Sequence, residues 1–420
     1  MASTDARALL IVPTTPTRSG NGLAMRQAVF HDSLRDVARI DTLVLPIAGP
    51  APGRDFTAEF GPVSAIPVAG RQDTRFMLLS QIADARQRLE QFRAYGRGSR
   101  HAALSVPVLA EVKAAIGAGD YDLVHVGRLY LAEAALAAEA RTLGTLDLDE
   151  DDAWAWRQVA QGQPAEGQPA EGAAWSEAEA DAEDRLLARV APRFSEVFVS
   201  GSADQASLAV RHPRIATEII ENAIAFPASP QRSDDGQTLL FVGALGYAPN
   251  RDGLRWFLRE VWPRLRSETG RRIRLRVVGA PIPAEIAELT IEGLELLGAV
   301  PDLAPLYREA TLALAPLHTG GGTRLKLIEA AAYRVPMVAT SIAARGLDFA
   351  SADSMWLADS ARDFGDAILA ALHDPAARQA RADKARQRAS ALHDRAGVVD
   401  RLASRFAALL ARRPAEREAQ

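Results

Sequence analysis

The stretch from Leu312 to Thr340, LALAPLHTGGGTRLKLIEAAAYRVPMVAT, admits few folds. A short apolar run ends at Pro316, three consecutive glycines follow, a strongly helical segment comes next, and VPMVAT resumes an extended pattern. Strand, glycine turn, helix, strand is a parallel crossover unit whose loop lies at the carboxyl end of a strand. Ligands of open α/β sheets sit at that edge, and a helix opening after bare glycines turns backbone N–H groups and a positive dipole end toward a phosphate. Arg324 and Lys326 are expected in the first turn of this helix, where cations oppose the dipole. An anion bound at Gly320, Gly321, Gly322 and Thr323 explains them better than helix stability does.

Glu329 has two readings. At about 3.6 residues per turn it neighbours Leu325, Lys326, Ala332 and Tyr333, beside an apolar strip of Leu325, Ile328 and Ala332. It is either a surface partner of Lys326, contributing about 0.2–0.5 kcal/mol, or a carboxylate accepting two hydroxyls of a sugar. In the second reading the glycines and cations one turn earlier hold the attached diphosphate.

Composition bounds the rest. A chain of 420 residues predicts two or three domains, and 48% hydrophobic residues suffice for two sizeable cores. The net charge of −4 argues against a nucleic-acid partner. The absence of cysteine excludes disulfides, thiolate nucleophiles and cysteine metal sites. The apolar run LLIV near the start is too short for a signal peptide, and no run approaches the length of about 18 apolar residues that marks a membrane span. A soluble cytoplasmic protein is expected, working at most at the inner face of a membrane. Lys113, Lys326 and Lys384 are the only lysines beside abundant arginine and alanine, so a lysine inside the central loop is the more telling residue.

Along the chain, ALLIVP at 8–13 reads as a buried first strand, with a helix from Leu23 to Arg39 and further strands at 42–46 and 64–68. The intervening Ser19, Gly20, Asn21 and Gly22 form a tight turn with a helix N-cap, or a glycine loop facing a ligand. Between Arg75 and Arg100 one helix is expected, with Leu78, Ile82, Ala85, Leu89 and Phe92 on a single stripe and Arg75, Arg86, Arg93 and Arg97 on its flank. The flank is either a solvated face or a basic amphipathic surface that meets a lipid-phosphate acceptor or makes weak peripheral contact with an anionic membrane through helix 75–97. DYDLVHVGRLYLAEAALAAEA at 120–140 reads as strand, loop and helix, with His125 at the strand's end as a structural residue or a catalyst. Asp147, Asp149, Asp151 and Asp152 can ligate a hard cation or cap a helix; capping is the preferred reading and no metal is expected. The tandem GQPAEGQPAEG at 162–172 and the acidic residues after it predict a flexible insert over about 157–182. A helix at 185–191, the strands EVFVS at 196–200 and TEIIENAI at 217–224, and a linker at 226–237 follow, and helices are expected from 360 to 412.

Four blocks carry a resemblance: LLFVGALGYAPNRDGLRWFLREVWPRL at 239–265, LRVVGAP at 275–281, LELLGAVPDLAPLYREATLALAPL at 294–317 and GGGTRLKLIEAAAYRVPMVATSIAARGLD at 320–348. From Thr238 to about Leu369 the chain resembles the nucleotide-sugar-binding half of retaining glycosyltransferases of family 4. The resemblance implies the GT-B fold, two doubly wound α/β domains facing each other across a cleft. It implies a first domain over 1–225, a donor-binding domain over 238–395, and a last helix, 396–420, packing back on the first. The family carries two glutamates eight positions apart in the last block; Glu329 matches the second, which holds the nucleotide ribose, whereas the first falls on Gly321, the glycine-rich variant of the motif. Gly20, Asn21 and Gly22 match its first glycine loop, Gly243 to Gly246 with Leu245 a second diphosphate loop, Asn250 or Arg251 the basic position after it, and Val300 and Pro301 the loop beside the nucleobase. His125 matches a family histidine; where many relatives place a second one, this chain has Gly127 followed by Arg128, a candidate on the acceptor side.

The implied reaction is metal-independent, retaining transfer from a nucleotide-diphosphate sugar, the co-substrate, to a glycan, lipid-linked or natural-product acceptor, with no cofactor. Arg324 and Lys326 would neutralise the leaving diphosphate. Two rivals remain: a nucleotide-sugar epimerase using acids of the 147–152 cluster, and a GT-B scaffold that binds a nucleotide sugar or a protein without turnover.

Overall fold

Apolar runs that read as doubly buried strands form two all-parallel sheets. The structure, a computed structural model, describes residues 6–48, 57–136, 142–161, 170–270 and 272–412. It divides into a first unit, residues 1–222 with 396–420, and a second, 223–395.

The first unit's sheet contains β1 (Arg7–Val12), β2 (Arg39–Val44), β3 (Val63–Ala65), β4 (Leu123–Gly127), β5 (Leu143–Asp149), β6 (Glu196–Val199) and β7 (Glu218–Ile219), in the order β3-β2-β1-β4-β5-β6-β7. Leu10 pairs with Thr42 on one side and His125 on the other. The strand order reverses between β1 and β4, so the loops after these strands flank a switch point. The helix Arg395–Ala411 returns to this unit and buries Phe406 beside Phe30 and Phe198, with ring centroids 6.4 and 6.3 Å away.

The second unit's sheet contains β8 (Thr238–Val242), β9 (Arg274–Val278), β10 (Leu294–Gly298), β11 (Leu312–Ala315), β12 (Met337–Ala339) and β13 (Trp356–Leu357), in the order β10-β9-β8-β11-β12-β13. Its switch point lies between β8 and β11. Helices Ala248–Trp256, Trp262–Glu268 and Ala361–His373 supply Leu254, Trp262, Leu265, Phe364 and Ile368 to the core against β8 and β9.

The helix expected over 23–39 ends at Arg35 and the strand expected over 217–224 is confined to Glu218–Ile219, and two further regions differ in kind. The single helix over 75–100 is two, Thr74–Leu79 and Ala85–Tyr95, because Asp84 caps the second by accepting from Gln87 N at 2.6 Å. The arginines therefore share no flank: Arg86 pairs with Glu90 at 3.3 Å, and Arg97 turns inward to Asp73 and Glu133 at 3.3 and 3.0 Å. The insert over 157–182 is largely helical. Asp152–Gln161 packs on the 21-residue helix Ala170–Val190, and Arg157 ties them at 3.2 Å from Asp181 and 2.8 Å from Asp184. Ala178, Ala182 and Leu186, spaced one turn apart, bury its inner stripe beneath the acidic face. Most of the tandem repeat, 162–169, lies outside the described residues.

Candidate functional site

In the second unit, β11 ends at Ala315 and the chain crosses the switch point through Pro316 to Arg324 before the helix Leu325–Ala332 begins. Gly320 adopts φ +100, and a Cβ there would meet the Tyr247 hydroxyl at 2.9 Å, so only glycine permits this turn. The helix has no side-chain cap. Its first N–H groups lack intrahelical acceptors and point along the positive end of the dipole.

Arg324 stands at the N-cap rather than in the first turn, and its guanidinium folds back to donate to the carbonyls of Gly321 and Gly322. Its Nε is buried without a hydrogen-bond partner among the described residues. Lys326 donates to Asn250 Oδ1 at 2.7 Å and lies 4.7 Å from the centre of the Phe241 ring. Burial, with the Arg324 cation nearby, lowers its pKa to about 7. Asn250 in turn donates to Ala244 O at 3.0 Å, so the loop after β8 and the glycine loop are joined through Lys326.

Glu329 accepts from the Tyr307 hydroxyl at 2.8 Å instead of pairing with Lys326. Burial raises its pKa, against the opposing pull of the Tyr307 bond and the Lys326 charge. Tyr307 itself stacks on Tyr333 with centroids 5.6 Å apart. Tyr307 was not singled out in the sequence; its signal was an aromatic on the helix Ala304–Glu309 immediately before β11. Gly243 follows β8 and donates its N–H to Val278 O at 2.8 Å, Leu245 is fully buried, and Val300 and Pro301 follow β10 on the same carboxyl edge. Gly243, Asn250, Lys326 and the glycine loop thus converge on the ends of β8 and β11. His318, exposed beside Trp256 with ring centroids 4.4 Å apart, joins them unforeseen.

The first-unit residues are placed differently. Asn21 is the N-cap of Gly22–Arg35, accepting from Leu23 N and Ala24 N at 2.9 and 3.2 Å, with Gly20 immediately before it. His125, read as a structural residue or a catalyst, lies inside β4 as a core residue: it is fully buried, stacks on Phe30 at 4.1 Å and bonds Thr145 Oγ1 at 2.9 Å. Burial and the Arg26 charge lower its pKa to about 3, so it stays neutral. Arg128 is likewise occupied, held at 3.1 Å from Asp149, 3.0 Å from Glu150 and 2.7 Å from Asp152. Asp147 binds Arg26 through both oxygens at 2.7 and 2.8 Å, and Asp151 caps the next helix at Trp154 N, 3.0 Å away. The acids therefore face arginines and a helix end.

Residues 236–374 match the family model described as "Glycosyl transferases group 1". Among curated proteins none matches the chain. Sucrose-phosphate synthase from Thermosynechococcus elongatus superposes with a TM-score of 0.67 at 15% identity, over 97% of this chain and 99% of that one. Alr3699/HepE from Anabaena, in complex with UDP-glucose, gives 0.63 at 15% identity over 96% and 99%. TarM, from S. aureus, gives 0.64 at 10% identity over 95% and 98%. The fold is GT-B, two Rossmann-like units with sheets of seven and six strands, and the stretch similar to the group 1 glycosyltransferase model lies in the second unit.

Proposed function

We propose that this protein transfers a sugar from a nucleoside diphosphate sugar to an acceptor hydroxyl with retention, in the manner of family 4, and without a metal. The observation that carries the reading is the glycine loop Gly320–Thr323, held at the switch point between Arg324, Lys326 and Glu329. The matched stretch 236–374 contains all of these residues. Solved neighbours support the substrate class: one is described in complex with UDP-glucose, another, a pneumococcal O-GlcNAc transferase, with UDP and GlcNAc.

In this reading the diphosphate lies against the glycine loop and the uncapped helix start. The Arg324 guanidinium and the Lys326 ammonium face the oxygens on which charge grows as the sugar–oxygen bond breaks. Glu329, steadied by Tyr307, accepts the ribose hydroxyls. The acceptor oxygen bonds the anomeric carbon on the face the diphosphate leaves, and its proton passes to a departing diphosphate oxygen. No side-chain base is required, which agrees with the burial of His125 and the glycine at position 127.

The test is a panel of nucleotide sugars incubated with the full-length protein. Release of nucleoside diphosphate with slow hydrolysis of one donor is expected, and the freed sugar should keep its configuration. Binding without any donor breakdown, with or without acceptors, would leave a scaffold.

A further inference from the structure

At the carboxyl edge of the first sheet lies a cavity of about 730 Å³ whose lining includes Ile47, Phe76, Leu79, Trp175, Arg88 and Arg100. Its floor rests on the ends of several strands. Ile47 follows β2 and donates to Pro13 O beyond β1, while Arg100 pairs with Asp152 beyond β5 at 3.1 Å and lies over the Tyr130 ring beyond β4. Its walls are built rather than incidental: Trp175 stacks on the buried Phe92 at 4.3 Å, in a cluster with Leu79 and Ala178 separate from the main core. The volume falls within the range of about 300–1,000 Å³ typical of small-molecule sites.

The lining is chemically divided. Met77, which also lines the cavity, is 49% exposed and its neighbour Leu78 is 60% exposed, so apolar surface continues outward. Among the described residues Arg88 donates to the Ile82 carbonyl, at 3.2 Å, and faces no carboxylate. A neutral apolar guest would desolvate that guanidinium without compensation, and a bare anion would leave Phe76, Leu79 and Met77 wet.

We propose that this cavity binds an anionic amphiphile, with its phosphate or carboxylate at Arg88 and Arg100 and its apolar body against Phe76, Leu79 and Trp175. That the amphiphile is also the sugar acceptor rests on the glycosyl-transfer reading. Binding does not, and it is measured without donor, so the two fail separately.

Monomeric decyl phosphate is titrated into the full-length protein by calorimetry, alongside decyl maltoside and inorganic phosphate. Saturable binding of decyl phosphate is expected, with the other two at least about tenfold weaker, because each lacks one half of the recognition. Arg88→Glu and, independently, Met77→Glu should each weaken it by about tenfold or more while the folded far-UV spectrum persists. Absence of saturable binding, or wild-type affinity in both variants, overturns the proposal. Sedimentation with phosphatidylglycerol and phosphatidylcholine vesicles separates the sources. Phosphatidylglycerol-selective binding lost in Arg88→Glu supports a lipid ligand, and decyl phosphate binding without vesicle binding supports a soluble one.

Discussion

Lys326 Nζ donates to Asn250 Oδ1 across 2.7 Å, and this bond ties the helix after the glycine loop to the loop after β8. Its donor is a poised cation: burial and Arg324 bring the Lys326 pKa to about 7, so near neutrality the ammonium is partly deprotonated. A diphosphate beside it favours the charged form and raises that pKa. Binding of the nucleoside diphosphate should therefore take up protons. The protonated form is the one that binds, so affinity falls as pH rises through about 7, by at most about tenfold per pH unit. Calorimetry in buffers of different ionisation enthalpy measures the uptake. Lys326→Gln should abolish it; unchanged uptake in that variant would assign the titration elsewhere.

Glu329 is held by Tyr307, and the two make separable predictions. Glu329→Ala should weaken nucleotide-sugar binding by about 1.5–3 kcal/mol, the range for hydrogen bonds to a charged group, with the fold retained. Tyr307→Phe leaves a half-buried carboxylate without its donor at 2.8 Å, and should lower stability by about 1–3 kcal/mol while weakening donor binding less than Glu329→Ala does. Calorimetry and thermal melts on both variants check this. Full donor affinity in a folded Glu329→Ala protein would sink the ribose assignment.

How much of this was legible follows from the range of each interaction. The central strands of both sheets are readable, because a doubly buried strand is a continuous apolar run such as LLIV or LALA, whereas the short edge strand Trp356–Leu357 carries no such run. The break before Asp84 was also written locally, as an N-cap with Gln87 three residues on. A hydrophobic stripe that can be drawn through it conceals the break. Alanine hid the helix Ala170–Val190 in the same way, since Ala178 and Ala182 count as composition until a partner face buries them. The contacts that shape the site were not local: Tyr307 lies 22 residues from Glu329, and Asn250 lies 76 from Lys326. Those pairs exist only because β8 and β11 are neighbours at a reversal of strand order, which no window of sequence states. His125 was ambiguous for the converse reason. A histidine in a strand looks the same whether Phe30 and Phe406 enclose it or a ligand does.

Catalysis should rest on the leaving group and not on that histidine. Removing a charge-assisted donor to developing charge typically costs about 2.7–4 kcal/mol, or about 10²–10³ in rate. Arg324→Ala and Lys326→Ala should each show such losses in single-turnover rates at saturating donor, with chelator making little difference. His125→Phe should stay within a few-fold of wild type. Its effect belongs to stability. The unfolded imidazole takes a proton near its ordinary value of about 6.5 and the buried one only near 3, so the native state loses stability as pH falls through that window. The slope is up to about 1.4 kcal/mol per pH unit, and denaturant unfolding from pH 7 downward should show it reduced in His125→Phe. A dominant rate loss in His125→Phe would make a first-unit side chain the catalyst.

Gly127, at the position where the family 4 resemblance implies a second histidine, lies against Gln27. A Cβ at 127 would lie 2.1 Å from Gln27 Oε1, and Gln27 is fully buried with neither polar atom hydrogen-bonded. The amide therefore occupies the space that a side chain at 127 needs. Gly127→Ala should destabilise by about 1–3 kcal/mol, as overpacking does, because the amide has no exposed direction in which to retreat. Gln27→Ala removes an unpaired buried amide along with its methylenes, and these opposing effects leave a smaller change. Combined with Gly127→Ala, it should recover most of the loss, giving a favourable coupling energy within the range of about 0.5–3 kcal/mol seen for residues in contact. A double-mutant cycle by denaturant unfolding decides it. Strict additivity would mean that the amide swings aside freely, and that the absence of a side chain at 127 has a cause other than Gln27.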